Sequence, residues 1–179
     1  MFEKRSIATI FLILLCGICN TTNAQDPNRF KEQVDRLANK EHNFDADKKL
    51  VIFAGSSSIV MWKDVQQRFP EYNVVNNGFG GSHFSDLIYF YDKLLKNYDP
   101  EMIFIYEGDN DIAGKKRPGK IKRQAKKLRK MLREDFPETK VVFISPKPSI
   151  AREHLGNKYM RLNRKLERYA NRKDNTEFA

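Results

Sequence analysis

The sequence predicts an α/β fold, a parallel sheet with helices on both of its faces, and two patterns carry that reading. Short apolar runs alternate with helical stretches, and the runs are apolar along their whole length rather than at every second residue, as in strands buried on both faces. Strand, helix, strand, helix at this spacing requires crossover connections, which are right-handed. At 40% apolar and 12% aromatic residues, with seven prolines and nine glycines, the chain is neither disordered nor fibrous. Its 179 residues suit one domain.

Strands are expected at Leu50 to Ala54, Asn73 to Val75, Met102 to Tyr106 and Val141 to Ser145. Phe30, Val34 and Leu37 mark an N-terminal helix, Trp62, Val65 and Phe69 a second, and Leu87, Phe90 or Tyr91, Leu94 and Tyr98 a third. Ile121, Ala125, Leu128 and Leu132 form one apolar stripe after the third strand. Tyr159, Leu162, Leu166 and Tyr169 form another after the fourth.

Ahead of the domain stands a targeting segment. Lys4 and Arg5 form a basic start, Ile7 to Ile18 is almost unbroken apolar, and Thr22-Asn23-Ala24 offers small residues for cleavage after Ala24. This assigns residues 1–24 to a signal peptide and 25–179 to the domain, exported to the periplasm or secreted. The apolar run is shorter than the roughly 18 to 20 residues that span a bilayer. A lipoprotein signal is excluded because Leu15 and Ile18, which precede the cysteines, are not small. Cys16 and Cys19 both lie in the leader, so the mature domain has no disulfide.

The formal charge is +10, concentrated in Lys115 to Arg133, with eleven basic and no acidic residues, and in Lys158 to Lys173, with seven basic against Glu167. Both stretches are amphipathic, so they read as solvated outer faces of helices packed on the core. Export further disfavours nucleic acid, while association with an anionic envelope surface stays open. Oligomeric state is not readable.

In open α/β sheets the site lies outside the carboxyl ends of the strands, where strand order reverses. Three of those ends are unusual: Gly55-Ser56-Ser57-Ser58-Ile59, Asn76-Asn77-Gly78-Phe79-Gly80-Gly81-Ser82 and Gly108-Asp109-Asn110-Asp111-Ile112. A dinucleotide fingerprint fails because His83 occupies the third glycine position and the loop follows the second strand. No P-loop is present, and Ile59 replaces the second glycine of a nucleophile elbow. His42, His83 and His154 are scattered without metal-ligand spacing, so neither metal nor organic cofactor is expected.

Together the three loops resemble blocks I to III of the SGNH hydrolases, the GDSL-type esterases and lipases. Gly55-Ser56-Ser57 resembles block I, Asn77-Gly78-Phe79-Gly80-Gly81 block II, and Gly108-Asp109-Asn110 the Gly-x-Asn of block III. Ile59 to Trp62 and Ser145-Pro146-Lys147-Pro148-Ser149 also look like a secreted bacterial branch. The resemblance implies catalytic roles for Ser57 as nucleophile, Gly81 as a backbone oxyanion donor and Asn110 as a side-chain donor. Such donors suit a tetrahedral oxyanion, and an asparagine amide supplies hydrogen bonds without net charge. Taken alone, the serines read as a helix cap, the glycines as loop hinges, and Asp111 as a capping or supporting residue. Ser56 stands where the family usually has aspartate.

The resemblance further implies a three-layer α/β/α sandwich of flavodoxin-like order, with strand one central. The family's general base comes from an Asp-x-x-His beyond a fifth strand, and this sequence has none. His83 and His154 do not fit that motif and read as surface-loop histidines. Asn175 to Ala179 resembles the opening of strand five, so the fifth strand and last helix are expected to be missing and the chain truncated. The expectation is therefore a serine esterase or acylhydrolase acting on a small-molecule, glycan or lipid ester, with little turnover as this short chain. The alternative is a non-catalytic glycan- or envelope-binding protein derived from one.

Overall fold

A computed structural model describes residues 26–179. The leader expected at residues 1–24 lies outside them. A 3-10 turn, Pro27–Phe30, leads into α1 (Lys31–Ala38), which seats Phe30 and Val34 in the core. Strand β1 (Leu50–Gly55) is followed by α2 (Ser57–Met61) and α3 (Val65–Arg68), then β2 (Asn73–Gly78). Next come α4 (Phe84–Tyr89), a π-helical turn (Asp92–Lys96) and β3 (Met102–Tyr106). The chain continues through α5 (Asp109–Ala113), α6 (Pro118–Asp135), β4 (Lys140–Phe143), a 3-10 segment (Ile150–Leu155), α7 (Gly156–Ala170) and β5 (Thr176–Phe178).

The sheet is parallel throughout, in the order β2-β1-β3-β4-β5, so β1 is central to the three strands whose ends carry the unusual loops. Strand order reverses at β1, which places β2 on one side and β3 on the other. One face packs against α1, α4, α6 and α7 around Ile52, Val75, Ile103, Leu128 and Leu166. The other buries Val51 and Phe53 beneath Ile59 and Val65 of α2 and α3. Phe104 stacks on Phe53 with ring centroids 4.7 Å apart and stays only partly covered.

Several expectations need correction. The fifth strand is present: Thr176, Glu177 and Phe178 pair in register with Val141, Val142 and Phe143. Asn175, at φ 50°, turns the chain after α7, and its carbonyl accepts from the Val141 N–H at 3.0 Å. Strand β2 runs three residues past Val75, because the side-chain amides of Asn76 and Asn77 donate to the carbonyls of Ile59 and Leu94. These bonds satisfy polar groups that had suggested a loop. The second expected helix is two short ones, the third gives way to the π turn, and β4 stops at Phe143. The two basic stretches form α6 and α7 and bury the stripes assigned to them.

No helix among the described residues is long and apolar enough to cross a membrane.

Candidate active site

The loops that follow β1, β2 and β3 meet at one end of the sheet because their strands are neighbours in register, with Gly55 opposite both Gly78 and Tyr106. Two backbone bonds continue the pairing beyond the strands. Ser56 N donates to Tyr106 O at 3.0 Å, and Phe79 N donates to Gly55 O at 2.8 Å.

Ser57 is the first residue of α2 and is partly exposed, whereas Ser56 is buried as the N-cap. The strand-to-helix turn depends on Gly55, at φ +131°, since a Cβ there would lie 2.1 Å from the Tyr106 carbonyl oxygen. Gly81 is exposed in the loop after β2. Its φ of +84° is the left-handed region that favours glycine, and the space where a side chain would project is open, with Phe30 the nearest group at 4.0 Å.

Asn110 lies in the first turn of α5, and its amide is held from two sides. Its Nδ2 donates to Ser82 O at 3.0 Å, and its Oδ1 accepts from Arg152 Nη1 at 3.1 Å. Arg152 is itself anchored by Asp109 Oδ2 at 2.7 Å, and the Tyr159 hydroxyl bonds the other oxygen of that carboxylate. An amide group carries two N–H bonds. One is directed to Ser82 O, and the second has no hydrogen-bond acceptor among the described residues.

Behind these groups lies a buried polar layer. Ser82 Oγ donates at 2.6 Å to Glu107, which is 1% exposed and whose carboxyl is pushed well above its ordinary range by burial and by nearby Asp111. Asp111 is fully buried, accepts from Phe84 N at 3.2 Å and pairs with Lys116 at 2.8 Å. Its sequence reading as a capping or supporting residue fits this position. His83 does not fit its reading as a surface residue. It is 7% exposed at the start of α4, with Nδ1 3.7 Å from Asp111 Oδ1. Burial, reinforced by Lys116, Arg29 and Arg152, lowers its pKa to about 3, so it is neutral at physiological pH. His154 is exposed in the 3-10 segment before α7.

Ser57, Gly81 and Asn110 are thus carried to one sheet end by three adjacent strands. Arg152, Ser82 and Glu107 were not singled out from the sequence. Arg152 is one of 33 lysines and arginines, and its placement depends on the chain after β4 returning to the same sheet end. Among the described residues no group of three or more His, Cys, Asp or Glu side chains is arranged to hold a metal. A separate groove of about 880 Å³ is lined by Leu50, Asn73, Glu101 and Thr139, at the amino ends of the strands and therefore at the opposite end of the sheet.

No family model and no curated protein matches the sequence. Solved structures do match. A GDSL-like lipase from Bacteroides thetaiotaomicron is 18% identical with a TM-score of 0.69, over 86% of this chain and 78% of that one. A Streptococcus pneumonia protein described as a candidate platelet activating factor is 17% identical with a TM-score of 0.69, over 97% and 80%. An acetylxylan esterase from Geobacillus stearothermophilus is 15% identical with a TM-score of 0.58, over 73% and 74%. At these identities the likeness concerns backbone architecture. The chain has the α/β fold of the GDSL-like, or SGNH, hydrolases.

Proposed function

We propose that this chain is an SGNH-type serine ester hydrolase with Ser57 as its nucleophile. The observation that carries the proposal is the convergence of Ser57, Gly81 and Asn110 at the carboxyl ends of three adjacent strands, in a fold shared with GDSL-like lipases and acetylxylan esterases. Ser57 Oγ attacks the ester carbonyl carbon, and the carbonyl π electrons move onto oxygen. The N–H groups of Ser57 and Gly81 and the second Asn110 N–H stabilise that oxyanion. Collapse breaks the ester C–O bond and leaves an acyl-serine, the departing oxygen taking up through solvent the proton that Ser57 gave up and leaving as the alcohol; water then adds to the acyl carbon, and its proton returns to Ser57 Oγ as the acid departs.

The proton from Ser57 needs a base, and the sequence contains no Asp-x-x-His. We therefore propose slow turnover for residues 25–179 on their own, since fixed donors without a base leave only about 10³- to 10⁴-fold catalysis over water in serine hydrolases. The acetylxylan esterase among the similar structures supports an acetylated glycan as substrate, and the leader pattern supports export. A second reading, a non-catalytic glycan- or envelope-binding protein on the same fold, is favoured by the lack of an Asp-x-x-His in the sequence and by the weak basicity of His83, whose pKa is lowered to about 3.

The test is prolonged incubation with a fluorophosphonate probe and localisation of the adduct by mass spectrometry. Covalent labelling at Ser57 that disappears in Ser57→Ala supports the hydrolase. Saturable glycan binding without any adduct supports the second reading and removes the first.

A further inference from the structure

On α6, Lys122, Lys126, Arg129 and Arg133 follow one another at spacings of four, three and four, which places them in one row with about 5.4 Å between turns. On α7, Lys165, Arg168 and Arg172 form a second row. Both helices return antiparallel to the strands on the same face of the sheet, and their apolar stripes pack together over the core. Between the two rows runs a groove of about 810 Å³. A second groove of about 790 Å³ continues it toward Lys120, Arg123 and Arg161 and shares Lys165, so the basic band follows the seam toward the sheet end that carries Asn110.

A merely solvated helix face mixes charges and pairs them at i, i+4. This one does not. Glu134 is the only acidic residue lining either groove, and it pairs with Lys130 at 3.3 Å. Lys122, Lys126, Arg133, Lys165, Arg168 and Arg172 have no carboxylate partner among the described residues. Arg133 Nη1 is shielded from solvent without a hydrogen-bond acceptor. Like charges held this close repel one another, and an anionic occupant would relieve the repulsion.

The shape and chemistry narrow the occupant. A concave seam fits an extended chain better than a flat bilayer. None of the exposed large apolar side chains, Phe44, Met61, Tyr89, Ile150 and Met160, lies in it to anchor a membrane. The one aromatic residue, Tyr169, is buried beneath Lys126, which removes the stacking platform that single-stranded nucleic acids use. Arginine forks suit carboxylate and phosphate oxygens.

We propose that the α6–α7 seam binds a linear polyanion, recognised through regularly spaced phosphate or carboxylate groups and not through bases. This inference does not require Ser57 to be a nucleophile.

The experiment measures binding of the full chain to fluorescein-labelled polygalacturonate and to inorganic polyphosphate at 50 and 200 mM salt. Mixed-sequence single-stranded DNA and vesicles containing anionic phospholipid are run alongside. The seam variant is Lys126→Glu with Arg172→Glu. A charge-matched control carries Lys40→Glu and Lys63→Glu, and all four side chains are exposed. Binding to either polymer is expected to weaken about 100-fold between the two salts if some five charges are engaged. The seam variant is expected to lose 10-fold or more and the control less than 2-fold, and the polymer that binds tells whether carboxylate or phosphate is read. Absence of binding at 50 mM salt, equal losses in the two variants, or tighter binding of DNA or vesicles than of both polymers would overturn the proposal.

Discussion

Arg152 donates through Nη1 to Oδ1 of Asn110 at 3.1 Å, while Asp109 holds the same guanidinium at 2.7 Å. A cation on the carbonyl side of an amide fixes which way the amide faces and draws electron density toward oxygen, which makes the N–H groups better donors. The amino side is correspondingly directed to Ser82 O. An arginine near the start of α7 thus orients a side chain of α5, on the far side of β4 in the sequence.

Two substitutions test that arrangement. Asn110→Ala is expected to lower the rate of acylation at Ser57 by about 10²- to 10³-fold, the usual cost of losing one oxyanion donor. Arg152→Ala is expected to lower it by about 10-fold or more, the loss of a charge-assisted hydrogen bond, with Arg152→Lys recovering part of it. Labelling rates and kcat against KM are read beside the melting temperature. A loss of stability matching the loss of rate would reduce both residues to structural roles.

His83 predicts a pH dependence with a defined sign. Its pKa is near 6.5 when unfolded and is lowered to about 3 when folded, by burial first and then by Lys116, Arg29 and Arg152. Between those values the unfolded chain binds a proton that the folded chain does not, so this residue's contribution to stability falls as pH drops from about 6.5 toward 3. Urea midpoints at pH 7, 5.5 and 4.5 are expected to fall less steeply for His83→Asn than for the native chain, because asparagine still suits a helix N-cap. Parallel slopes would contradict the assignment.

Glu107 acts in the opposite direction. Burial holds its carboxyl protonated above the ordinary range, so the folded state gains stability from that proton at low pH and loses it as pH rises through the raised pKa. Glu107→Gln, neutral and of similar shape, is expected to flatten this part of the pH dependence and leave the fold intact. Glu107→Ala is expected to cost about 1–3 kcal/mol by removing the acceptor of the buried Ser82 hydroxyl. Chemical denaturation at pH 5 and 8 separates the two outcomes.

Packing predictions are simpler. Leu128 is fully buried on α6, and Leu128→Ala is expected to destabilise the domain by about 2–5 kcal/mol. Met61 is 68% exposed, and Met61→Ala is expected to change stability by no more than about 0.5 kcal/mol. Urea denaturation of the two variants measures the contrast.

The sequence by itself determined the α/β class, the α6 and α7 stripes, and the loops containing Ser57, Gly81 and Asn110. These are local properties: an apolar run, a helical period, or small residues at a strand end each have a signature within a few residues. Tertiary structure decided what depends on partners far along the chain. Strand β2 extends through Asn76 and Asn77 because their amides find the carbonyls of Ile59 and Leu94, and Thr176–Phe178, which the sequence already reads as the opening of a strand, completes the sheet in three residues because β4 offers it an edge. His83 is buried and neutral because α4 closes beside Asp111 and Lys116, and one arginine among 33 basic residues reaches Asn110. A polar side chain's role is set by the groups that desolvate it and bond to it. Those neighbours are chosen by the folded chain and carry no mark in the linear pattern.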